Sequence, residues 1–313
     1  MVLFFLFGEL SWFYDNQNIR LKGENKMGNA NALRIDQGSV AINQTCRQYS
    51  IVFDGCNYDL NSKSCVIPVK SRREVELYLL CLGEEVEIIM DDQVRETYPE
   101  VWDWLAGRDI SEVLTELKWS YREEEEVIDI IEKIPAPPSL NACFLKLHNG
   151  DPDPERIERE YVHKNNAENV LISKPYQCGS MFYFNGFTKS PEFNIDHYSD
   201  HVEGIIMFEV ARQAGNASAH LVGMPFTGTN IILKSFTRHT KFLEASEPYL
   251  VRTIPAYKPR GGVGYCVYNI IQNGKSCMAG FFSVIAYNSK DVYKRFRNSK
   301  LIDRAPREKV VGE

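Results

Sequence analysis

Residues 198–221 constrain the fold of this 313-residue chain more than any other stretch. Alanine and long apolar residues dominate them, and these residue types favour an α-helix. Ser199 or Asp200 is placed to accept a hydrogen bond from an N–H group of the first turn. Gly223 and Pro225 follow the stretch and would end a helix. The sequence therefore predicts a helix of about six turns.

This predicted helix has apolar residues around most of its circumference, from Ile205 to Leu221. A surface helix has a narrower apolar stripe, so we expect other structure to wrap this one. One polar line interrupts the apolar surface, with Arg212 beside it. The line consists of Glu209, Gln213, Asn216 and His220, which recur at helical spacing.

Two interpretations of the polar line remain open from the residues alone. It can be a solvated stripe or a structural Glu209–Arg212 ion pair, because structural ion pairs also place charges in clefts. It can instead be a functional site on a buried helix. A carboxylate in such a setting needs a charged partner or a raised pKa.

The helix sequence resembles a known motif. Residues 200–215, DHVEGIIMFEVARQAG, are similar to the central-helix motif of the A-factor biosynthesis (AfsA-type) hot-dog family, and more loosely to the helix of hot-dog dehydratases. Three further segments follow the family's order: an opening at 162–172, a helix exit at 219–225 and a closing segment at 292–297. The resemblance covers roughly residues 160–298.

The pattern of strands agrees with what this resemblance implies, a long helix wrapped by an antiparallel sheet. Short runs of strand-forming residues precede the helix, and longer runs follow it. Asn273-Gly274 between the last two runs is a strong hairpin signal. The predicted strands are 170–173, 181–187, 230–239, 249–256, 263–272 and 276–287. We therefore expect an α+β protein with a hot-dog fold in its C-terminal half.

The first half predicts a small α+β domain that is winged-helix-like, with a strand hairpin followed by three helices. Residues 75–82 fit either a helix or a strand, and Pro99 can break the first of the three helices. The predicted strands are 38–44, 48–54, 64–70 and 85–90, and the predicted helices are 93–105, 110–119 and 123–134.

Part of this first half, Tyr98–Leu117, faintly resembles PqqD-like peptide-binding domains. The resemblance implies a peptide or protein partner. The alternative is an ordinary amphipathic helix pair around Gly107, because short motif matches often mislead.

Proline-rich and charged residues at 134–160 place a linker between the two halves. Met27 is an alternative start of the chain. The sequence then predicts five regions: a flexible extension at 1–30, the small domain at 31–135, a linker at 136–160, the hot-dog domain at 161–298 and a tail at 299–313.

Composition excludes several classes of protein. The net charge of −6 argues against non-specific nucleic-acid binding. Eight scattered cysteines without a C-x-x-C pair predict neither a zinc site nor a disulfide framework, and they fit a reducing cytoplasm. The apolar start, Met1–Phe7, lacks a basic region before it, so neither a signal peptide nor a membrane span is expected.

The family resemblance implies chemistry on acyl thioesters. It implies a transferase that moves a β-ketoacyl group from an acyl carrier protein or acyl-CoA to the hydroxyl of a phosphorylated three-carbon acceptor, the first step to a butyrolactone signal in secondary metabolism. Phosphopantetheine or CoA would carry the thioester, with no other cofactor and no metal. The family's catalytic Glu falls on Glu209, followed by Arg212 and Gln213.

These residue types suit that chemistry. Glu209 in an apolar site can have a raised pKa and act as a general base. Arg212 can hold Glu209 ionised or bind a phosphate, although an Arg212–Glu209 pair would lower that pKa. Gln213 and Asn216 can donate hydrogen bonds to acyl oxygens. His201, Gly204 and the amides of 202–204 at the helix start are further candidates for substrate binding.

Two departures from the family bear on this assignment. Family enzymes usually carry two fused repeats and this chain shows one, so we expect a homodimer. Glu203 stands where the motif often has Pro. The alternatives to the transferase are a non-catalytic acyl-, carrier- or peptide-binding module and a hot-dog dehydratase or thioesterase.

Overall fold

The computed structural model describes residues 48–55, 65–117, 124–137, 139–140, 145–193, 199–257 and 262–299. The chain divides into two compact units, residues 1–44 and 45–313, and every described residue belongs to the second. The predicted N-terminal extension, the alternative start, the predicted strand at 38–44 and nearly all of the predicted C-terminal tail lie outside the described residues.

The described residues between 48 and 137, called the first module, contain a three-stranded sheet and five α-helices. The strands are β1 (Tyr49–Phe53), β2 (Cys65–Val69) and β3 (Val86–Ile89), in the order β2-β1-β3. β1 is parallel to both neighbours, so the predicted hairpin and winged-helix-like arrangement are wrong for this segment. The helices are α1 (Arg72–Leu82), α2 (Asp92–Thr97), α3 (Pro99–Leu105), α4 (Ile110–Glu116) and α5 (Glu124–Lys133).

Local capping explains these helix boundaries. Ser71 Oγ accepts from the N–H of Glu74, which fixes the ambiguous segment 75–82 as part of helix α1. Pro99 is the first residue of α3 and breaks the predicted helix at 93–105 in two. The Asp109 side chain accepts from the N–H of Ser111 and caps α4.

The second half forms the hot-dog fold. Its strands are β4 (Tyr176–Cys178), β5 (Met181–Asn185), β6 (Thr229–His239), β7 (Leu250–Ala256), β8 (Gly262–Gln272) and β9 (Lys275–Tyr287), and its helices are α6 (Gly204–Leu221) and α7 (Lys290–Ser299). The antiparallel sheet has the order β4-β5-β7-β8-β9-β6, and α6 packs on it. The predicted α+β class and hot-dog fold are thus confirmed.

Details of the strands differ from the prediction at a few places. The hairpin at Asn273-Gly274 is confirmed, because both residues have positive φ, 51° and 70°. Residues 170–173 form only isolated bridges, through Ile172 and Ser173, instead of a strand. The short β4 was not predicted.

Strand β5 of the six-stranded sheet is buried on both faces. Along β5, Phe182 and Phe184 belong to the cluster around α6, and we call this side the inner face. Met181 and Tyr183 alternate with them and belong to a cluster shared with the first module, on the outer face. Successive side chains of a strand point to opposite faces, so one strand serves both cores.

Helix α6 begins later than predicted. It starts at Gly204 and runs for 18 residues, about five turns. Ser199 bonds to His201 instead of capping the helix, and Glu203 at the N-cap position provides no side-chain cap. The helix ends before Gly223, as predicted. Most of it is buried, but Ile205 is 63% exposed, so the helix is unwrapped at its start.

The five cysteines in the described part are free thiols, and all but Cys65 are buried. Among the described helices, none has the length and apolar character needed to cross a membrane.

Candidate functional site

A network of charged side chains lies on the inner side of the sheet, around Glu209 of helix α6. The Arg212 guanidinium donates to both carboxylate oxygens, through Nε to Oε2 at 2.6 Å and Nη2 to Oε1 at 2.7 Å. The Glu209 side chain is only 12% exposed. Residues three apart on a helix are neighbours, which places Arg212 within reach of Glu209. The predicted pairing of these two residues is therefore present, in bidentate form.

Gln213 fixes the position of this carboxylate. Its side chain is fully buried, and its Nε2 donates to Glu209 Oε1 at 3.0 Å and to the Asn169 carbonyl at 2.9 Å. Its Oε1 accepts from the Leu171 N–H at 2.8 Å. Both amide protons are thus used within the protein. The expected donation to an acyl oxygen does not fit this arrangement, and Gln213 instead ties α6 to residues 169–171.

The sequence did not indicate two members of the network, Lys164 and Glu192. Lys164 Nζ lies 3.0 Å from Glu209 Oε1, and it also pairs with Glu192. Lys164 is held near the site by the 3₁₀ turn Arg159–Val162 that precedes it, which packs against α6. His163-Lys164 belongs to the family's repeat opening, so that segment was the available signal. No sequence pattern singled out Glu192.

The charges around Glu209 decide its ionisation. Burial by itself would raise the pKa of this carboxyl, but the hydrogen bonds and charge of Arg212, with the bonds from Gln213 and Lys164, lower its pKa to about 2. The same pair raises the pKa of Arg212. The expected rise of the Glu209 pKa toward neutrality is therefore wrong for this arrangement, in which the carboxylate is ionised.

A narrow cavity of about 30 Å³ lies between α6 and the sheet, next to Arg212. Asn216, which is 9% exposed, lines it, and its Oδ1 accepts from Asn230 Nδ2 at 3.4 Å. Apolar side chains such as Ile232 and Phe282 form much of the remaining wall. A cavity of this volume has room for about one or two water molecules and not for an acyl chain. The predicted contact of Asn216 with a substrate stays a prediction.

His220, the last member of the polar line, is paired with another histidine. Its Nδ1 donates to the Met224 carbonyl at 2.8 Å, so its Nε2 accepts from His163 Nε2, also at 2.8 Å. Burial and the neighbouring cations lower the pKa of His163 to about 4, and burial lowers that of His220. Phe226 stacks on His220 at 4.7 Å. These contacts give both histidines a structural role.

The remaining predicted residues lie at the start of α6. His201 Nδ1 contacts Asp200 Oδ1 at 2.9 Å, and this bond raises the pKa of His201. Its ring meets that of Phe242 edge to face at 5.3 Å. The N–H of Val202 donates to Leu243 O at 2.8 Å, so it is not available to a substrate. Gly204 is exposed at the uncapped first position of the helix.

The described residues contain no group of three or more His, Cys, Asp and Glu side chains that could hold a metal ion.

Residues 146–286 match the AfsA family model, whose description is the A-factor biosynthesis hotdog domain. This match confirms the family resemblance of the sequence. No curated protein matches the chain.

Solved structures similar to the chain include thioesterases. A Haemophilus influenzae thioesterase shares 15% identity, with 40% of this chain and 85% of that chain covered and a TM-score of 0.33. A hypothetical thioesterase from Streptococcus pneumoniae, solved with coenzyme A, shares 14% identity over 37% and 84%, with a TM-score of 0.30. The Escherichia coli PaaI protein shares 11% over 34% and 76%, with a TM-score of 0.28. Likenesses of this size identify no reaction.

Proposed function

Because residues 146–286 form an A-factor biosynthesis hotdog domain, we propose that this protein is an acyltransferase acting on β-ketoacyl thioesters. It moves the acyl group from an acyl carrier protein or acyl-CoA to the hydroxyl of a phosphorylated acceptor, in signal or secondary-metabolite synthesis that leads to a butyrolactone. The observation that carries this proposal is the Glu209 network. It combines a buried carboxylate, two cations and an adjoining cavity.

The acceptor activates the base by competing for Arg212. A guanidinium binds phosphate and carboxylate with the same bidentate geometry, so an acceptor phosphate can replace Glu209 on Arg212. Once Arg212 turns away, the pKa of Glu209 rises, because burial still raises it and only the bonds from Gln213 and Lys164 still lower it. The carboxylate then becomes a base strong enough to assist a hydroxyl. A phosphorylated acceptor is therefore required for rapid transfer.

The transfer itself is balanced by one proton. Glu209 takes the proton of the acceptor hydroxyl while the hydroxyl oxygen attacks the thioester carbonyl carbon. The C–S bond then breaks, an ester forms, and the departing thiolate takes the proton back from Glu209. The uncapped start of α6 at Gly204 offers N–H groups and the positive end of the helix dipole for the carbonyl oxygen.

Other predicted residues support these steps. Gln213 is a positioning residue, because it holds the Glu209 carboxylate and contacts no open space. Asn216 lines the small cavity beside Arg212 and donates a hydrogen bond to an acyl oxygen. His201 and Phe242, both accessible at the start of α6, contact the arm of the carrier.

A homodimer completes the site from the open side of α6. Ile205 and Phe242 are 63% and 77% exposed there, and the edge strand β6 exposes Ile232 and Leu233. An exposed apolar edge strand is a template for pairing with a second copy. Sedimentation of the full chain at micromolar concentration tests this, and a monomer throughout would reject it. The free buried thiols fit a cytoplasmic location.

The decisive experiment measures ester formation by mass spectrometry, with a β-ketoacyl thioester and either a phosphorylated or an unphosphorylated three-carbon alcohol. The wild type should prefer the phosphorylated alcohol. Glu209→Gln should lose roughly two to four orders of magnitude in rate, because Gln cannot act as a base. Arg212→Lys keeps the charge but loses the planar fork, so it should lose the preference for phosphate. Wild-type turnover in folded Glu209→Gln would reject Glu209 as the base.

One observation favours a second candidate, a non-catalytic acyl- or carrier-binding module. The Glu209 carboxylate is fully paired, and the adjoining cavity is small. This candidate requires that no acceptor yields product and that Glu209→Gln binds the thioester unchanged. Release of free acid without any acceptor would instead identify a thioesterase. The proposed peptide partner of the first module is tested separately, by binding to residues 45–313.

A further inference from the structure

A groove of about 810 Å³ adjoins the Glu209 network. It is open, and its lining includes Arg156, Glu168, Lys189, Phe193 and Ile206. Ile206 lies one turn before Glu209 on α6, on the same side of the helix. The groove therefore leads to the candidate site.

The groove also shares its walls with residues that hold the network in place. Glu168 belongs to the 3₁₀ turn Ala167–Asn169, and the Asn169 carbonyl accepts from Gln213 at 2.9 Å. Ser190, also in the lining, donates from its Oγ to Asn169 Oδ1 at 3.1 Å. A ligand in the groove would thus contact the same turn that positions Gln213.

Arg156 is the unusual residue of this groove. Its guanidinium lies over the Phe187 ring, with Cζ 4.3 Å from the ring centroid. It forms no ion pair with any residue that the structure describes, and its Nη1 is buried without a hydrogen-bond partner. Burial lowers its pKa. A partly buried cation without an anion is costly, because its lost hydration is not replaced.

Arg72, which also lies over an aromatic ring, shows the contrast. Arg72 lies 4.6 Å from the Trp104 ring centroid, yet its Nε also donates to Glu76 at 3.0 Å. The aromatic contact at Arg156 orients a planar fork that has no such partner. The Arg156 guanidinium therefore lacks an anionic partner, which a bound ligand can supply.

We propose that the groove binds a phosphate ester, with Arg156 gripping the phosphate and Lys189 adding a second positive charge. Phe193 and Ile206 contact the uncharged part of the same ligand. This inference rests on the proposed function for the source of the phosphate, which is the phosphopantetheine or CoA of the thioester donor, because the acceptor phosphate is assigned to Arg212. Glu168 in the lining opposes the ligand charge and limits its affinity.

Isothermal titration calorimetry on the full chain tests the proposal with four probes: coenzyme A, pantetheine, glycerol phosphate and inorganic phosphate. Arg156→Met keeps an apolar side chain against Phe187 but removes the charge. It should weaken the binding of the phosphate-bearing probe by roughly tenfold to a hundredfold, as expected for the loss of a charge-assisted hydrogen bond. Lys189→Met should weaken it less, because Lys189 is exposed, and Glu168→Gln should tighten it. Pantetheine, which lacks phosphate, should bind all variants equally.

The control variant is Arg72→Met, which removes a stacked arginine outside the groove and should leave binding unchanged. Loss of coenzyme A binding alone identifies the donor, whereas loss of glycerol phosphate binding alone would place the acceptor phosphate here and overturn its assignment to Arg212. Unchanged binding in Arg156→Met, or no binding of any phosphate probe to the wild type, would overturn the proposal. If Arg156→Met does not fold, the exposed Lys189 and Glu168 variants decide alone.

The outcomes separate this proposal from the transferase activity. If phosphate binding depends on Arg156 but no turnover is found, the assignment of the groove stands and the proposed function is rejected. Turnover with a KM for both substrates unchanged in Arg156→Met removes the groove assignment and leaves the proposed function.

Discussion

Two arginines on opposite sides of the six-stranded sheet show how the partner of a buried cation sets its role. On the outer side, Arg252 of β7 is fully buried and donates to the carbonyls of Ile134, at 2.7 Å, and Ile131, and to Asn269 Oδ1 at 3.1 Å. On the inner side, Arg212 is 30% exposed and donates to the carboxylate of Glu209.

The partners differ in whether they can be exchanged. The carbonyls that hold Arg252 end helix α5, where the helix dipole places negative charge, and they cannot leave without unwinding the chain. Arg212 is bound to a side chain, and a ligand anion can take that side chain's place. Lys164 also remains to balance Glu209. Arg252 therefore joins the first module to the sheet, whereas Arg212 is suited to a ligand.

The largest effect that would test this contrast is on stability. Arg252→Met leaves two buried carbonyls and Asn269 without their donor, which should cost about 3–5 kcal/mol of unfolding free energy. Arg212→Met should cost less than half of that, since Lys164 and Gln213 still contact Glu209. Urea denaturation of both variants gives the comparison directly.

An equal loss in the two variants would remove the distinction between them. A loss below about 1 kcal/mol in Arg252→Met would show that apolar packing, not this contact, holds the module on the outer face. Arg73→Met, which removes a partly exposed arginine from the first module, is the matched control and should lie within about 1 kcal/mol of wild type.

The second effect is a dependence of stability on pH, and it distinguishes the ionised network from the histidine pair. The pKa of Glu209 is lowered from 4.5 to about 2, so its contribution is present above pH 4.5 and lost as the pH falls toward 2. The pKa of His163 is lowered from 6.5 to about 4, so stability is lost as the pH falls from 6.5 toward 4.

Urea midpoints between pH 7 and pH 2.5 measure these two windows. Glu209→Gln should remove part of the loss below pH 4.5 and leave the upper window intact. His163→Gln should do the reverse, flattening the curve between pH 6.5 and pH 4. A Glu209→Gln curve parallel to that of the wild type would show that the pKa of Glu209 is not lowered in the folded protein.

The sequence predicted the part of the site that is local. Glu209, Arg212 and Gln213 lie three and four residues apart on one helix, so their contact follows from helical geometry. Lys164 and Glu192 come from distant loops, and their approach depends on how the 3₁₀ turns pack on α6, which no local pattern encodes. The expected rise of the Glu209 pKa is wrong for two reasons. The sequence does not indicate the contact with Lys164, and it does not show that Arg212 lies within bidentate hydrogen-bond distance of Glu209.

The fold shows the same division. The four strands after α6 follow alternation and turn signals and were predicted with their approximate bounds. The parallel pairing of β1 with β2 was not, because short strands carry no signal for direction. The run Met181–Phe184 contained an unused signal, because a continuous apolar run along a strand is typical of a sheet that is covered on both faces. That run could have indicated that the first module packs on the sheet.

The smallest predicted effect concerns the partly exposed edge of the contact between helix α5 and the outer face of the sheet. It tests how much charged side chains contribute to that contact. Arg238 of β6 donates to Asp129, at 2.7 Å, and to Glu132, at 2.5 Å, both on α5. Asp129 is 54% exposed, and solvent screens such a pair, so Asp129→Asn should change the unfolding free energy by less than about 1 kcal/mol. Glu132 is 17% exposed and also accepts from Ser276 Oγ at 3.0 Å, so Glu132→Gln should cost more, about 1–2 kcal/mol. Urea denaturation at low and high salt measures both, and salt should reduce only the Asp129 effect. A loss in Asp129→Asn as large as in Arg252→Met would mean that charges at the rim, rather than the buried arginine, hold the first module against the sheet.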